Sequence, residues 1–157
     1  MSKLMWIAAS VVVVWLIAFA AMGWWSQRDT ASRTGLNNGF LQACPNSPNC
    51  VCSDDTQSPS EQHSIAPLPL AGDNDMRIRA VVAAVHAAGG EIKTQSDRYV
   101  HATFTSRIFR FVDDVEFRLD NGVVHLRSAS RVGHSDVGVN RKRAAALAQL
   151  LAREGDS

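Results

Sequence analysis

The feature that most constrains this chain is an uncharged, apolar run over residues 4–25, interrupted only by Ser10 and Gly23. A helix of about 20 apolar residues crosses the roughly 30 Å hydrocarbon core of a bilayer, so this run is long enough to do so. Trp24 and Trp25 close the run, and such amphipathic rings favour the level of the lipid headgroups. The run therefore predicts one transmembrane helix, which leaves the rest of the chain to fold in water.

Three other interpretations of the apolar run are weaker. A cleavable signal peptide has an apolar region of about 7–15 residues and then a small-x-small site. Ala18 and Ala20 offer such a site, but the apolar run continues past them. A lipoprotein would use Cys44, which lies far beyond the run and two residues after the bulky, polar Gln42. A buried core helix does not fit so uniform an apolar stretch in a small chain, so a retained anchor is favoured.

The charge balance argues against a polyanionic partner. The chain has 16 Lys and Arg residues and 15 Asp and Glu residues, and only Lys3 of these lies in the apolar first 25 positions. The remainder is electrically neutral and lacks the basic excess of a protein that binds a phosphate backbone. We therefore expect no nucleic acid partner.

Two of the three cysteines predict a disulfide. Cys44 and Cys50 are separated by five residues that include two prolines. In an exported domain such a pair favours a disulfide, which would stabilise the fold by about 2 kcal/mol. The rival is a thiolate metal site made of Cys44, Cys50, Cys52 and His63, but this set lacks the paired Cys-x-x-Cys spacing. Cys52 is then left as an odd thiol.

The orientation of the predicted anchor rests on these cysteines rather than on charge. Lys3 and the amino terminus lie on one side of the apolar run, and Arg28 and Arg33 lie on the other. The positive-inside rule counts these groups as nearly equal. Because a disulfide persists in oxidising compartments, the Cys44–Cys50 pair favours an exported C-terminal domain.

Composition and periodicity divide the chain into three segments. Residues 1–25 form the anchor, 26–63 a polar tether with a Cys- and Pro-rich loop, and 64–157 a folded domain. Residues 65–70 contain two prolines and predict an extended segment or edge strand. A helix follows with Asp73 or Asn74 as its N-cap, and it ends at Gly89. Two strands are then predicted over residues 91–95 and 98–105.

A β-hairpin over residues 109–131 is the strongest local signal. Apolar and charged residues alternate there, and Asn121-Gly122 is the dipeptide preferred by a two-residue type I′ turn. This turn sets Phe117 opposite Leu126 on one face and Glu116 opposite Arg127 on the other. A cross-strand ion pair contributes about 0.2–1 kcal/mol. We therefore expect a structural ion pair between Glu116 and Arg127.

The last predicted element is a helix that begins near Arg141, with Asn140 as its N-cap. Its apolar face consists of Ala144, Leu147, Leu150 and Leu151. Together the elements predict an α+β fold, in which an antiparallel β-meander of about four strands carries two helices on one face. The N-terminal transmembrane helix precedes this domain.

Three blocks of sequence resemble a known family. They are Leu41-x-x-Cys44-Pro45-x-Ser47-Pro48-Asn49-Cys50-Val51, Phe111-x-Asp113-Asp114-Val115-Glu116-Phe117 and Arg127-Ser128-Ala129-Ser130-Arg131-x-Gly133-x-x-Asp136-x-Gly138-x-Asn140-Arg141-x-Arg143. In order and spacing they resemble the bacterial and plastid family called domain of unknown function 1499. The resemblance implies an exported or membrane-tethered protein and no established activity. Members of this family often have Ser at the position of Cys52.

Charged residues crowd the junction between the second hairpin strand and the last helix. The candidate ligand-binding residues are Arg127, Arg131, Asp136, Asn140 and Arg141. One interpretation is an internal network of ion pairs that fastens the last helix to the sheet, since Arg donors pair well with carboxylates. The other is a pocket for a carboxylate or phosphate, with Arg127, Arg131 and Arg141 as ligands. Internal pairing is the stronger of the two.

Acidic residues near the same junction suggest a further alternative, a site for a hard cation. Its ligands would be Asp113, Asp114, Glu116 and Asp136. However, Asp113 and Asp114 are adjacent in a predicted strand and point to opposite faces. The five histidines have no ligand spacing, and no nucleophile elbow, phosphate loop or dinucleotide fingerprint occurs. The sequence therefore predicts neither a metal site nor a cofactor.

These observations lead to two hypotheses about function. The first is a non-enzymatic module in a bacterial inner membrane, whose periplasmic domain binds an envelope protein or a small anionic ligand through its Arg- and Asp-rich face. The alternative is a metal-dependent hydrolase or other envelope enzyme that uses the acidic residues.

Overall fold

The fold is known from a computed structural model, which describes residues 3–28, 33–54, 60–120 and 122–155. The helices are α1 (Lys3–Ser26), α2 (Asn74–Ala87) and α3 (Val139–Gly155). The strands are β1 (Leu36–Asn37), β2 (Phe40–Leu41), β3 (Cys50–Cys52), β4 (Leu68–Pro69), β5 (Glu91–Gln95), β6 (Tyr99–Thr105), β7 (Val112–Asp120) and β8 (Val123–Ser130). The predicted α+β class is confirmed.

Helix α1 corresponds to the apolar run of the sequence. Its 24 residues are long and apolar enough to cross a membrane, and its most apolar stretch has no residue buried against the rest of the molecule. Gly23 and Ser26, in its last turn, are the buried residues of the helix. The apolar surface of α1 is thus open along most of its length, and its C-terminal end packs on the domain.

The central sheet has six strands rather than about four. Its order is β3-β8-β7-β6-β5, with β4 also paired to β8, and every pair is antiparallel. The meander from β5 to β8 agrees with the prediction. The two additional strands lie along the outer edge of β8. The strand β4 lies within residues 65–70, which were predicted as an extended segment or edge strand. The strand β3 was missed because its three residues are too few for an alternating pattern to be visible.

Strand β3 lies within the segment that was assigned to a tether and a Cys- and Pro-rich loop. Its register sets Cys50 opposite Ala129 and Cys52 opposite Arg127. Val51 points to the opposite face, into the main core. The turn-rich residues around β3 therefore position a strand that is integral to the sheet.

The β7–β8 hairpin has the predicted register. Phe117 pairs with Leu126 and Glu116 with Arg127. Asn121, the first residue of the predicted turn, lies outside the described residues, whereas Gly122 has the positive φ of 85° that such a turn needs. The strand begins later than predicted, at Val112, because the positive φ of 59° at Arg110 breaks the extended backbone.

Helices α2 and α3 pack on one face of the sheet and enclose the main hydrophobic core. Asp73 is the N-cap of α2, since its side chain accepts a hydrogen bond from the Met76 N–H. The core side chains from the central strands are Val100, Ala102, Phe104, Val115, Phe117, Leu119, Val124 and Leu126. Alternation along each strand therefore sends the intervening polar side chains to the other face.

That other face is covered by the stretch 33–44, which includes the short β1–β2 hairpin. Leu41 forms a second, smaller core with Cys44, Cys50, Cys52 and Ala129. Cys44 and Cys50 form the predicted disulfide, with their Cα atoms 5.6 Å apart. The covering stretch buries a layer of charged side chains between itself and the sheet.

Candidate functional site

The polar face of the sheet carries three groups of ion-paired side chains in a row. Asp114, Glu116 and Arg118 alternate with the core residues of β7, so all three point away from the helices. Each is more than nine-tenths buried. Burying a charge is costly unless it is paired and hydrogen-bonded, so the partners of these three residues determine what the face can do.

Glu116 forms the central group and has no exposed surface. Its Oε2 accepts a hydrogen bond from Arg127 Nη1 at 2.8 Å. Its Oε1 accepts one from the Tyr99 hydroxyl at 2.7 Å and one from the Gly35 N–H at 2.7 Å. Burial, together with the negative charge of Glu116, raises the pKa of Tyr99. Tyr99 therefore remains a protonated donor that fixes the carboxylate.

Arg127 is not fully satisfied by this arrangement. Its side chain is buried, and its Nε has no hydrogen-bond partner among the described residues. An unsatisfied buried donor costs about 1–3 kcal/mol. A water molecule or an anion that reached this guanidinium would remove part of that cost.

Asp114 forms the second group, with a forked ion pair. Arg131 donates from Nε to Oδ2 at 2.8 Å and from Nη2 to Oδ1 at 2.7 Å. His101 Nε2 lies 2.8 Å from Oδ1. Burial acts to raise the pKa of Asp114, but the hydrogen bonds with His101 and Arg131 outweigh it and hold the pKa below its ordinary value. Asp114 is therefore an ionised carboxylate with both oxygens occupied.

Arg131 also joins the domain to helix α1. Its Nη1 donates to the carbonyl oxygen of Ser26 at 3.2 Å and to that of Arg28 at 3.0 Å. Ser26 is the last residue of α1. One guanidinium thus holds together a buried carboxylate and the end of the apolar helix.

Arg118 forms the third group, with an acidic residue that the sequence did not single out. Its Nε lies 3.0 Å from Asp54 Oδ2, and its Nη1 lies 3.0 Å from Asp120 Oδ2. The ring of Phe40 packs against its guanidinium, 5.3 Å from the ring centroid. Asp54 lies in a turn-rich segment with no periodicity, so no sequence signal marked it as a partner.

The five predicted ligand-binding residues do not converge. Arg127 and Arg131 lie on the polar face, as described above. Arg141 is exposed elsewhere and donates to the carbonyl oxygens of Gln62 and Ser64. Asp136 accepts from the N–H groups of Gly138 and Asn140 at the start of α3.

Asn140 was predicted as the N-cap of the last helix, and that assignment is wrong. The helix begins one residue earlier, and Asp136 satisfies its free N–H groups instead. The Asn140 side chain is buried and bridges three elements. Its Oδ1 accepts from Ser128 at 2.6 Å, and its Nδ2 donates to the Asn49 carbonyl oxygen at 2.9 Å. Asn140 thus fastens α3 to the sheet.

The acidic residues of the alternative cation site are also dispersed. Asp113 faces α3 and binds Arg143 at 2.7 Å, whereas Asp114 and Glu116 lie on the opposite face. Within the described ranges no three His, Cys, Asp or Glu side chains are placed to hold a metal ion. His63 instead contacts the Cys50 carbonyl oxygen at 2.9 Å. This arrangement does not favour the metal-dependent alternative.

Cys52 is the described cysteine that is not in the disulfide; it is buried, and its sulfur accepts a hydrogen bond from the Asp54 N–H. Burial raises its pKa, and this effect exceeds the opposing influence of the Asp54 N–H and of Arg127. A buried, protonated thiol is a poor nucleophile, because the thiolate is the reactive form. Cys52 therefore acts as a small apolar side chain of the second core.

One cleft opens onto this polar face beside the disulfide. It has a volume of 450 Å³. Arg33, Arg127 and Arg131 line it together with the Cys44 to Pro45 bend. Arg33 comes from the predicted tether, and its Nη1 donates to the Arg131 carbonyl oxygen at 3.1 Å. Three arginines thus line the cleft, and two of them, Arg127 and Arg131, were among the predicted ligands.

Comparison with known proteins gives one match. A family model described as "Protein of unknown function (DUF1499)" matches residues 40–151, from the start of β2 into the last turns of α3. No curated protein and no solved structure matches the chain. The matched range covers the disulfide, the whole central sheet and the buried ion pairs, and it leaves α1 outside.

Proposed function

The chain belongs to the DUF1499 family of proteins of unknown function, and we propose from its fold and its polar face that it is a membrane-anchored module that binds a small anionic ligand outside the cytoplasm. The proposal has two parts, the anchor and the binding site. Each has its own support and can fail separately.

The packing of α1 on the domain supports a retained anchor rather than a cleaved signal peptide. A Cβ built on Gly23 would overlap the carbonyl oxygen of Phe109, so the two backbones are in direct contact. The Ser26 hydroxyl accepts a hydrogen bond from the Val112 N–H at 3.1 Å. A leader that is removed has no need of such matched contacts with the domain that remains.

The disulfide supports an exported domain. Disulfides persist in oxidising compartments and are rare in the cytosol, and the Cys44–Cys50 bridge is buried in the second core. We propose that the helix lies in a bacterial inner membrane and the domain in the periplasm, which agrees with the exported or membrane-tethered location that the family resemblance implies.

The binding proposal rests on the excess positive charge of the cleft and on Arg127, which lines the cleft and whose Nε is unsatisfied in the described part of the chain. Arg33, Arg127 and Arg131 contribute three positive charges, whereas Glu116 and Asp114 contribute two negative charges to Arg127 and Arg131. The cleft thus has one cation in excess. Among the residues that the structure describes, Arg127 Nε also lacks a hydrogen-bond partner. A carboxylate or phosphate matches both the excess charge and the planar geometry of arginine donors.

The test uses inorganic phosphate and two matched arginine variants of the full chain in detergent. Arg33 and Arg141 are both exposed and both donate to backbone carbonyl oxygens, but only Arg33 lines the cleft. A ligand that binds only the folded state raises the midpoint of thermal unfolding. We expect phosphate to raise it for the wild type and for Arg141→Ala, and to have little effect on Arg33→Ala.

Two results would contradict the binding proposal. One is an equal response to phosphate in all three proteins, which would indicate general binding to surface cations. The other is no response in the wild type at phosphate concentrations up to the millimolar range. Neither result bears on the anchor, which is tested by its extraction from membranes with detergent but not with salt or alkali.

A further inference from the structure

Two loops of the domain lie against the C-terminal half of α1. The first, residues 106–111, places the ring of Phe109 5.0 Å and that of Phe111 6.2 Å from the ring of Phe19. The second, residues 132–139, lies beside the first. Both loops and α1 line the same cavity of 220 Å³. The two loops and the helix therefore form one continuous surface.

The position of Phe19 along α1 sets the depth of these contacts. Phe19 precedes Trp25 by six residues, which is about 9 Å along a helix that rises 1.5 Å per residue. If Trp24 and Trp25 lie at the headgroup level, Phe19 lies at the edge of the hydrocarbon. Phe109 and Phe111 contact Phe19, so they lie below the headgroups as well. The first loop thus reaches to the depth of the acyl chains.

Both loops present large apolar side chains that the domain does not cover. Ile108 is 82% exposed and Val137 is 85% exposed. Val137 also has a positive φ of 54°, a conformation that is costly for a β-branched residue. Exposure of two such side chains to water is unfavourable. Contact with hydrocarbon would stabilise the exposed side chains.

Charged residues flank the apolar tip of the first loop. Arg107 and Arg110 are exposed on either side of Ile108. Arginine side chains of this kind lie along apolar surface and extend their guanidinium groups to the phosphates of lipid headgroups. The cavity between the loops and α1 is lined chiefly by apolar groups, among them Phe19, Met22, Phe111 and Val132. Its residues from α1, Phe19 and Met22, precede Trp24 and so lie on the hydrocarbon side of the headgroup level.

We propose that the two loops are immersed in the same leaflet of the phospholipid bilayer that holds the end of α1, with Ile108 and Val137 among the acyl chains. The occupant of this surface is bilayer lipid. The inference rests on the anchoring part of the proposed function, and it does not depend on the anionic ligand. The domain would then have a fixed height and orientation on the membrane, instead of moving freely at the end of a flexible linker.

The test places a nitroxide label at single sites of the full chain in vesicles of phosphatidylethanolamine and phosphatidylglycerol. The variants are Ile108→Cys, Val137→Cys, Val13→Cys in α1 and Met76→Cys in α2. Met76 and Val13 are each about half exposed, at 53% and 52%, so they report water and lipid respectively. Cys52 is buried and does not compete for the label.

Collisions with oxygen, which dissolves in lipid, are compared with collisions with a water-soluble nickel complex. We expect the oxygen-to-nickel ratio at positions 108 and 137 to exceed that at 76 several-fold and to lie below that at 13, because Val13 lies deeper in the hydrocarbon than Phe19. If either loop position matches 76 while 13 reports lipid, the immersed surface is overturned and the anchor stands. If the ratio at position 13 also matches that at position 76, both the immersed surface and the membrane anchor are overturned. All four positions are exposed, so the substitutions do not disturb the core.

Discussion

Glu116 illustrates how this fold uses charge at the scale of single residues. It has no exposed surface, and both of its oxygens accept hydrogen bonds from groups that the fold supplies. A buried ion pair of this kind contributes little net stability compared with an apolar pair, because each ion loses its hydration. Removing one partner is different, since the other charge then remains buried without compensation.

We therefore predict that Glu116→Gln lowers the free energy of unfolding by about 3–5 kcal/mol. Glutamine keeps the shape but leaves the buried Arg127 without a negative partner. The control is Asp120→Asn, because Asp120 is 41% exposed and its partner Arg118 retains Asp54. We expect this control to cost less than about 1 kcal/mol. Chemical denaturation of the full chain in detergent measures both, and equal losses would show that Glu116 is not a structural charge.

The lowered pKa of Asp114 predicts how stability depends on pH. Its ordinary pKa is about 3.9 and holds in the unfolded chain, whereas the folded value lies lower. The unfolded chain therefore takes up the proton first as the pH falls. The stabilisation is fully present above about pH 4 and is lost as the pH falls through the folded pKa.

Asp114→Asn removes this ionisation, so we expect the variant to be less stable at neutral pH and to lose less stability on acidification. The measurement is the free energy of unfolding of both proteins at several pH values below 5. Other carboxylates titrate in both proteins and cancel in the difference. The prediction would be contradicted if the difference in free energy of unfolding between wild type and variant stayed constant across this pH range.

The residues that sequence analysis found and missed on the polar face differ in their surroundings. Glu116 and Arg127 were paired correctly because a regular hairpin fixes which residues face each other. Arg33, Gly35 and Asp54 were missed because they lie in irregular segments. There, neither spacing nor alternation relates a residue to its partners, which are all distant in sequence.

At the scale of elements, length decides which strands the sequence could predict. The strands β6, β7 and β8 have seven to nine residues, and each alternates over several periods. The strand β3 has three residues and is recognised only through its pairing with β8. A pairing between distant segments is a tertiary property, and a local pattern does not contain it. The same limit explains why the apolar Phe109 was assigned to a strand.

The contact between α1 and the first loop depends on one glycine, so we predict that Gly23→Leu separates them. A side chain at this position would overlap the Phe109 carbonyl oxygen. The readout is a cross-link made by a short bifunctional thiol reagent between Phe19→Cys and Phe109→Cys, whose native ring centroids lie 5.0 Å apart. We expect the cross-link to form in the wild-type background and to be lost with Gly23→Leu.

The matched control for this experiment is Ala21→Leu. Ala21 lies in the same turn of α1 but is exposed, so the same enlargement should leave the cross-link intact. Equal cross-linking in both variants would mean that α1 does not dock on the domain through Gly23.

At the scale of the whole molecule, composition and the apolar run predicted the general organisation. The α+β class, the two helices on the sheet and the long N-terminal helix follow from periodicities that extend over many residues. The second core was not predicted, because its members come from β2, the disulfide loop and β8. This covering layer buries the polar face of the sheet, which would otherwise be exposed to solvent.

The orientation of the whole molecule is tested with a reporter that is active only outside the cytoplasm, fused after Ser157. We predict activity in the full chain, because the disulfide requires export, and no activity when residues 1–25 are removed. A reporter active only in the cytoplasm would overturn both the export and the native role of the Cys44–Cys50 bridge. An active reporter without residues 1–25 would show that α1 does not direct export.

The position of β3 at the edge of the sheet has a consequence for the order of assembly. Cys50 pairs with Ala129, near the other end of the chain, and such distant pairings form slowly because a long loop must close first. If the domain is exported as proposed, the segment nearer α1 emerges first, so β3 reaches the far side of the membrane before β8. The β7–β8 hairpin is local and can form as it emerges. The Cys44–Cys50 bridge can therefore form before β8 is present to pair with β3. The sheet is completed only when β8 has emerged.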